Sequence, residues 1–232
     1  MNLPMTPPSP PLVAVTFDLD GLMFNTEELY QEVGGAILAR RGKQITGELL
    51  NEMMGRKSNI ALQVMIDWHE LEETPEQLAA ESAEIFGGLL PRRLAPMPGL
   101  LELMAALEAA GVPKGIATSS GRDFVTRVLG QFDLAPRFAF VIAGEDIEHG
   151  KPAPDVYLLA ARRHGVRPEE MLVLEDSQIG CQAAVAAGTY AVAIPHGQST
   201  THQFPGVRFE ARTLADPRIY EALGMSTGGG AC

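Results

Sequence analysis

At 232 residues, with 46% hydrophobic and 20% charged side chains, the chain has the length of one large domain, or of a core with a smaller insert, and the composition of a soluble globular protein. Its formal net charge of -11 argues against nucleic-acid phosphates or an anionic membrane surface as partner, since both would repel it. A small anionic ligand stays open, because a metal and a few cations can invert the field inside one cleft.

Only two cysteines occur, Cys181 and Cys232, and no run approaches the ~20 apolar residues of a membrane span. A reduced, cytoplasmic protein is expected. Residues 1–11 read MNLPMTPPSPP, with neither a basic nor an apolar signal region, and are expected to be a disordered lead-in. The run LVAVTF, Leu12–Phe17, is short, apolar and partly β-branched, as a buried strand should be. From Glu27 to Arg93 the apolar residues recur at helical spacing instead. Four helices are predicted: Glu27–Arg41, Thr46–Met54, Ser58–Glu70 and Pro75–Leu90. Gly42, Gly55 and Thr74-Pro75 separate them.

Beyond PMPG, Pro96–Gly99, helices and strands alternate. Helix Leu100–Ala110 leads to strand Val112–Thr118, and helix Arg122–Phe132 to strand Phe138–Ala143. Helix Pro154–His164 leads to strand Met171–Leu174, and helix Ile179–Ala187 to strand Tyr190–Ile194. Alternation of this kind implies an α/β protein with a parallel, Rossmann-like sheet covered on both faces. The core is assigned to residues 12–25 and 94–222, the helical insertion to 26–93 and a flexible tail to 223–232. A monomer is the default for this size.

Open parallel sheets bind ligands beyond the carboxyl ends of their strands, and these ends are polar here. The first strand runs into Asp18-Leu19-Asp20-Gly21 and the second into Thr118-Ser119-Ser120-Gly121. Gly150-Lys151-Pro152 follows the next strand, and Glu175-Asp176-Ser177 closes the one after it. Four carboxylates in one cleft need a hard cation, which suits Mg²⁺. Thr118, Ser119 and Lys151 suit a phosphoryl group. GEDIEHGKP, 144–152, is not a nucleotide-binding P-loop. Its glycines are one residue too far apart, and Pro152 stands where a Ser or Thr must bind Mg²⁺. The five histidines form no metal-ligand spacing, and Trp68 is expected in the core of the insertion.

Four stretches in order, DLDGLMFNTE, ATSSG, GKPAPDVY and LVLEDSQIGCQAAVAAG, resemble the haloacid dehalogenase (HAD) superfamily, and the helical insertion resembles the small cap of its β-phosphoglucomutase-like members. The resemblance implies a HAD fold and a Mg²⁺-dependent phosphatase acting on a small phosphorylated metabolite, a sugar phosphate or nucleotide-like monoester. It makes Asp18 the nucleophile, Asp20 the general acid and base, and Thr118, Ser119 and Lys151 the phosphoryl ligands. It gives the metal to Asp18, the Asp20 carbonyl and Asp176, with Glu175 close by or acting through water. Arg56 in the cap and Arg122 beside ATSSG are candidate substrate contacts, Asn25 lies at the core–cap hinge, and Ser120 is a candidate helix N-cap. A phosphoglucomutase is the alternative, disfavoured because Tyr30 stands where the mutases carry a histidine. A non-catalytic binding protein on the same fold is the third possibility.

Overall fold

The computed structural model describes residues 7–225; Cys232, most of the expected lead-in and most of the expected tail lie outside them. Six strands, β1 (Ala14–Phe17), β2 (Lys114–Ala117), β3 (Val141–Ile142), β4 (Met171–Glu175), β5 (Tyr190–Ala193) and β6 (Phe209–Glu210), form one parallel sheet in the order β3-β2-β1-β4-β5-β6. Every residue of β1 and β4 is buried, as expected for central strands with helices on both sides.

The two faces differ in side-chain size, and the strand period of two sorts them. Val15, Phe17, Leu172 and Leu174 face α5 (Leu100–Ala109), α6 (Arg122–Gly130) and α9 (Pro217–Ala222). Ala14, Ala117, Val173 and Ala191 face α7 (Asp155–His164) and α8 (Gln178–Ala186), which meet them with Ala160, Ala161, Ala183 and Ala184. Cys181 is a free, buried thiol on α8.

The insertion is four helices, α1 (Thr26–Ala39), α2 (Gly47–Met53), α3 (Ser58–His69) and α4 (Pro75–Arg93). Thr74 and Gln77 cap α4 reciprocally. Arg41 bonds Glu73 and Glu81 at 2.7 and 2.8 Å, which ties the end of α1 to the start of α4. Asn25 fastens the two chain crossings between sheet and insertion. Its side chain donates to Arg93 O (3.1 Å) and accepts from Ala95 N (2.7 Å).

Several expectations are corrected. Four of the five expected strands are shorter than their apolar runs, with β3 keeping only Val141–Ile142, whereas β4 runs one residue longer than expected, to Glu175. The sequence reading has no element after Ile194, yet β6 and α9 follow. Two residues show no period, and α9 is six residues long, started by Pro217 and an Asp216 side chain that accepts from Arg218 N. Helix α4 runs through Pro91 to Arg93. Trp68 is 47% exposed, because the buried stripe of α3 is Leu62, Met65 and Ile66. No described helix is long and apolar enough to cross a membrane.

Candidate active site

Each functional side chain is placed by the end of a strand. The backbone N–H of Asp18 donates to Leu174 O (3.0 Å), so the first residue after β1 is still held by β4. The chain then turns at Gly21, where φ is +75° and a Cβ would overlap Asp176 Oδ2. Glycine is required there for both reasons. This close approach brings the end of β4 against the end of β1.

Lys151 is the charge centre of the site. Its ammonium, on a side chain only 2% exposed, donates to Asp18 Oδ1 and to Glu175 Oε1, the latter at 2.6 Å. Burial opposes its charge, but Asp18 and Glu175 prevail and push its pKa up. Glu175 is fully committed. Tyr157 also donates to Oε1 (2.7 Å), while Oε2 accepts from the backbone of Asp176 and Ser177 and from the Ser177 hydroxyl. Glu175 therefore braces the site.

Asp18, Asp176 and Glu175 each present an oxygen within 4.8 Å of the others. Burial pushes Asp18 up to about 8 against the pull of Lys151, and pushes Asp176 well above the carboxylate range with help from Glu175 and Asp18. Two buried acids held together at this cost need a cation to ionise together. Because five donors already occupy Glu175, Asp18 and Asp176 are the side chains left to ligate one. Hard oxygen donors of this kind fit Mg²⁺.

Asp20 is held differently. Its Oδ2 accepts from Ser120 Oγ (2.6 Å) and Thr118 Oγ1 (3.2 Å), and its Oδ1 is buried without a partner. Burial raises its pKa, and these hydroxyls hold it back only in part. Ser120 is thus not the expected helix cap. Gly121 takes that position, and the Glu145 carboxylate accepts from Arg122 N. The Ser119 hydroxyl donates to Gly55 O in the insertion (2.9 Å), which leaves its backbone N–H for a ligand.

A cavity of about 460 Å³ opens from Asp18, Asp20, Thr118 and Asp176 into the insertion. Arg56 lines it, although its guanidinium is turned back on Glu52 O (2.5 Å). Arg122 is not among the lining residues. Both Asp146 carboxylate oxygens accept from it at 2.5 Å, and Arg127 reaches the cavity instead. Lys57 clamps the insertion to the core through Ile147 O (2.6 Å) and Glu148 O (3.2 Å).

Sequence reasoning assigned no role to Ser120 beyond a cap and none to Tyr157 or Glu27. The signal for the last two was their place inside the quoted motifs. Glu27 lines the cavity with both carboxylate oxygens buried and unpartnered.

Known proteins resemble this chain over most of its length. Residues 15–194 match the haloacid dehalogenase-like hydrolase family. A probable pseudouridine-5'-phosphatase of Drosophila melanogaster is 36% identical over 77% of this chain and 80% of its own. A phosphorylated carbohydrates phosphatase of Thermotoga maritima is 31% identical over 75% and 81%. The crystal structure of CbbY from Rhodobacter sphaeroides in complex with phosphate is 25% identical, covers 88% of this chain and 96% of its own, and superposes with a TM-score of 0.77. With the family match spanning every strand end described above, the chain belongs to the haloacid dehalogenase-like hydrolases.

Proposed function

We propose that the protein is a Mg²⁺-dependent phosphatase that hydrolyses a small phosphorylated metabolite through an aspartyl phosphate on Asp18. The enzyme is a phosphoric monoester hydrolase. The observation that carries the mechanism is the pairing of Asp18, held by Lys151, with an Asp20 held by two hydroxyls at the mouth of one cavity.

The Asp18 carboxylate attacks phosphorus, and the bond from phosphorus to the ester oxygen breaks. Asp20, whose pKa is raised by burial, gives a proton to the leaving oxygen. Asp20 then takes a proton from water, the water oxygen bonds to phosphorus, and the Asp18–phosphorus bond breaks to release inorganic phosphate. Mg²⁺ held by Asp18, Asp176 and the Asp20 carbonyl would neutralise the acidic cluster and draw charge off the phosphoryl oxygens. Lys151 holds Asp18 in one position, Thr118 and Ser120 orient Asp20, and the backbone N–H of Ser119 offers a phosphoryl donor.

Tyr30 bears on the mutase alternative. Its hydroxyl lies 3.4 Å from Ser120 Oγ and its ring packs on Phe86 and Phe124; burial pushes its phenol pKa well above the ordinary value, so it keeps its proton near neutral pH and serves as a wall, with no part in proton transfer. Phosphate release would be measured across sugar phosphates, nucleotides, pseudouridine 5′-phosphate and 6-phosphogluconate, with Mg²⁺ or chelator. Release that needs both Mg²⁺ and Asp18, and is lost in Asp18→Asn, is expected. Isomerisation of glucose 1-phosphate without phosphate release would overturn the reading.

A further inference from the structure

The cavity that starts at the catalytic carboxylates does not end in polar groups. Three rings from three helices, Tyr30 on α1, Phe86 on α4 and Phe124 on α6, meet with centroids 4.7–5.7 Å apart and line it, and Met54 and Leu62 add to the same lining. The Tyr30 hydroxyl reaches Ser120, which holds Asp20, so the aromatic wall begins within one residue of the acid that would protonate the leaving group. Among the described lining residues only Arg56 and Arg127 are cationic, and Arg56 is turned back toward Glu52. Glu27, Glu28, Asp123 and Glu145 line the same space. Both Glu27 oxygens are buried without a partner. Such a surface disfavours a second phosphate or a carboxylate on the substrate, because these four acids outnumber the two arginines in the lining. At about 460 Å³ it has the volume of a small-molecule site.

We infer that the substrate's leaving group is an uncharged alcohol with an extended apolar or aromatic body, seated against Tyr30, Phe86 and Phe124, and that Glu27 accepts a hydrogen bond from that group and turns away anionic ones. This inference rests on the phosphatase reading and narrows its substrate class. It places pocket selectivity in the aromatic wall, with Arg56 set aside.

The experiment is a homologous series of n-alkyl phosphates, ethyl to hexyl, hydrolysed by the Mg²⁺-loaded full chain. A hexyl phosphate bearing a terminal carboxylate is compared at matched length, and acetyl phosphate serves as an activated reference. Transfer of each methylene to an apolar wall should raise kcat/KM by about three- to fourfold until the cavity is full, and the terminal carboxylate should cost at least about tenfold. Ala61→Phe, which fills the lined space, should flatten the series, and so should Phe124→Ala, which removes part of the wall. Glu27→Gln should shrink the penalty on the carboxylate. A flat series, or preference for the carboxylate, with acetyl phosphate still hydrolysed, would overturn the inference and leave the phosphatase reading standing. No Mg²⁺-dependent release from any of these esters would overturn both.

Discussion

Replacing Lys151 with Met keeps the length of the side chain and removes its charge. The ammonium is 2% exposed and sits between a carboxylate 8% exposed and another fully buried. Without it, Glu175 stays buried beside Asp18 and Asp176 with no cation. Breaking a buried ion pair by removing one partner costs about 3–5 kcal/mol, a large share of the ~5–15 kcal/mol that holds a typical protein folded. Urea unfolding at pH 7 with chelator should show that loss for Lys151→Met, and turnover should vanish. If the cost comes from the stranded charge, Glu175→Gln should relieve part of it. The double variant should then lie at least ~1 kcal/mol above the sum of the single changes, as residues in one network do. A Lys151→Met protein within ~1 kcal/mol of the parent, or a strictly additive pair, would refute the claim that Lys151 compensates this cluster.

Three other outcomes follow from single contacts. Burial with the charges of Glu28 and Asp20 pushes Glu27 up to about 7 from 4.5, so its contribution to stability is complete below pH 4.5 and is lost as pH rises through 7, by up to ~3 kcal/mol. In chelator, Glu27→Gln should therefore gain on the parent between pH 5 and pH 8, and parallel unfolding profiles over that range would contradict the assignment. Gly21→Ala puts a Cβ onto Asp176 Oδ2 at a φ of +75°; Mg²⁺ affinity by calorimetry should fall at least about tenfold, since second-ligand placement is worth that much, and unchanged affinity would show that Asp176 can move freely. Asn25→Ala removes both side-chain bonds across the two chain crossings and should lower stability by about 1–2 kcal/mol while speeding amide exchange around residues 93–95; no change in exchange there would count against its role as a clasp.

The residues that the sequence made legible and those it hid differ in what fixes them. Asp18, Asp20, Thr118, Lys151 and Asp176 follow apolar strands or their short loops, and a parallel sheet delivers all such positions to one edge whatever the neighbouring side chains are. Local pattern was therefore enough to gather them. Arg122 looked equivalent beside ATSSG, but the direction of a side chain at a helix start depends on what lies across the loop, and Asp146 claimed it. Glu27 reads as an ordinary acid in a helix's first turn, and Tyr157 as core; only the neighbours brought in by β4 and the insertion give them other work. The aromatic wall was the least legible of all. Phe86 and Phe124 fall on the apolar stripes of α4 and α6, and Tyr30 lies beside that of α1. An apolar stripe looks the same whether it meets another helix or an opening. The chemistry is thus written in strand ends, where one strand's geometry suffices, whereas selectivity is written in the gap among α1, α4 and α6, which exists only once all three are packed. Substitutions that leave every motif intact can for this reason still change which alcohol the enzyme releases.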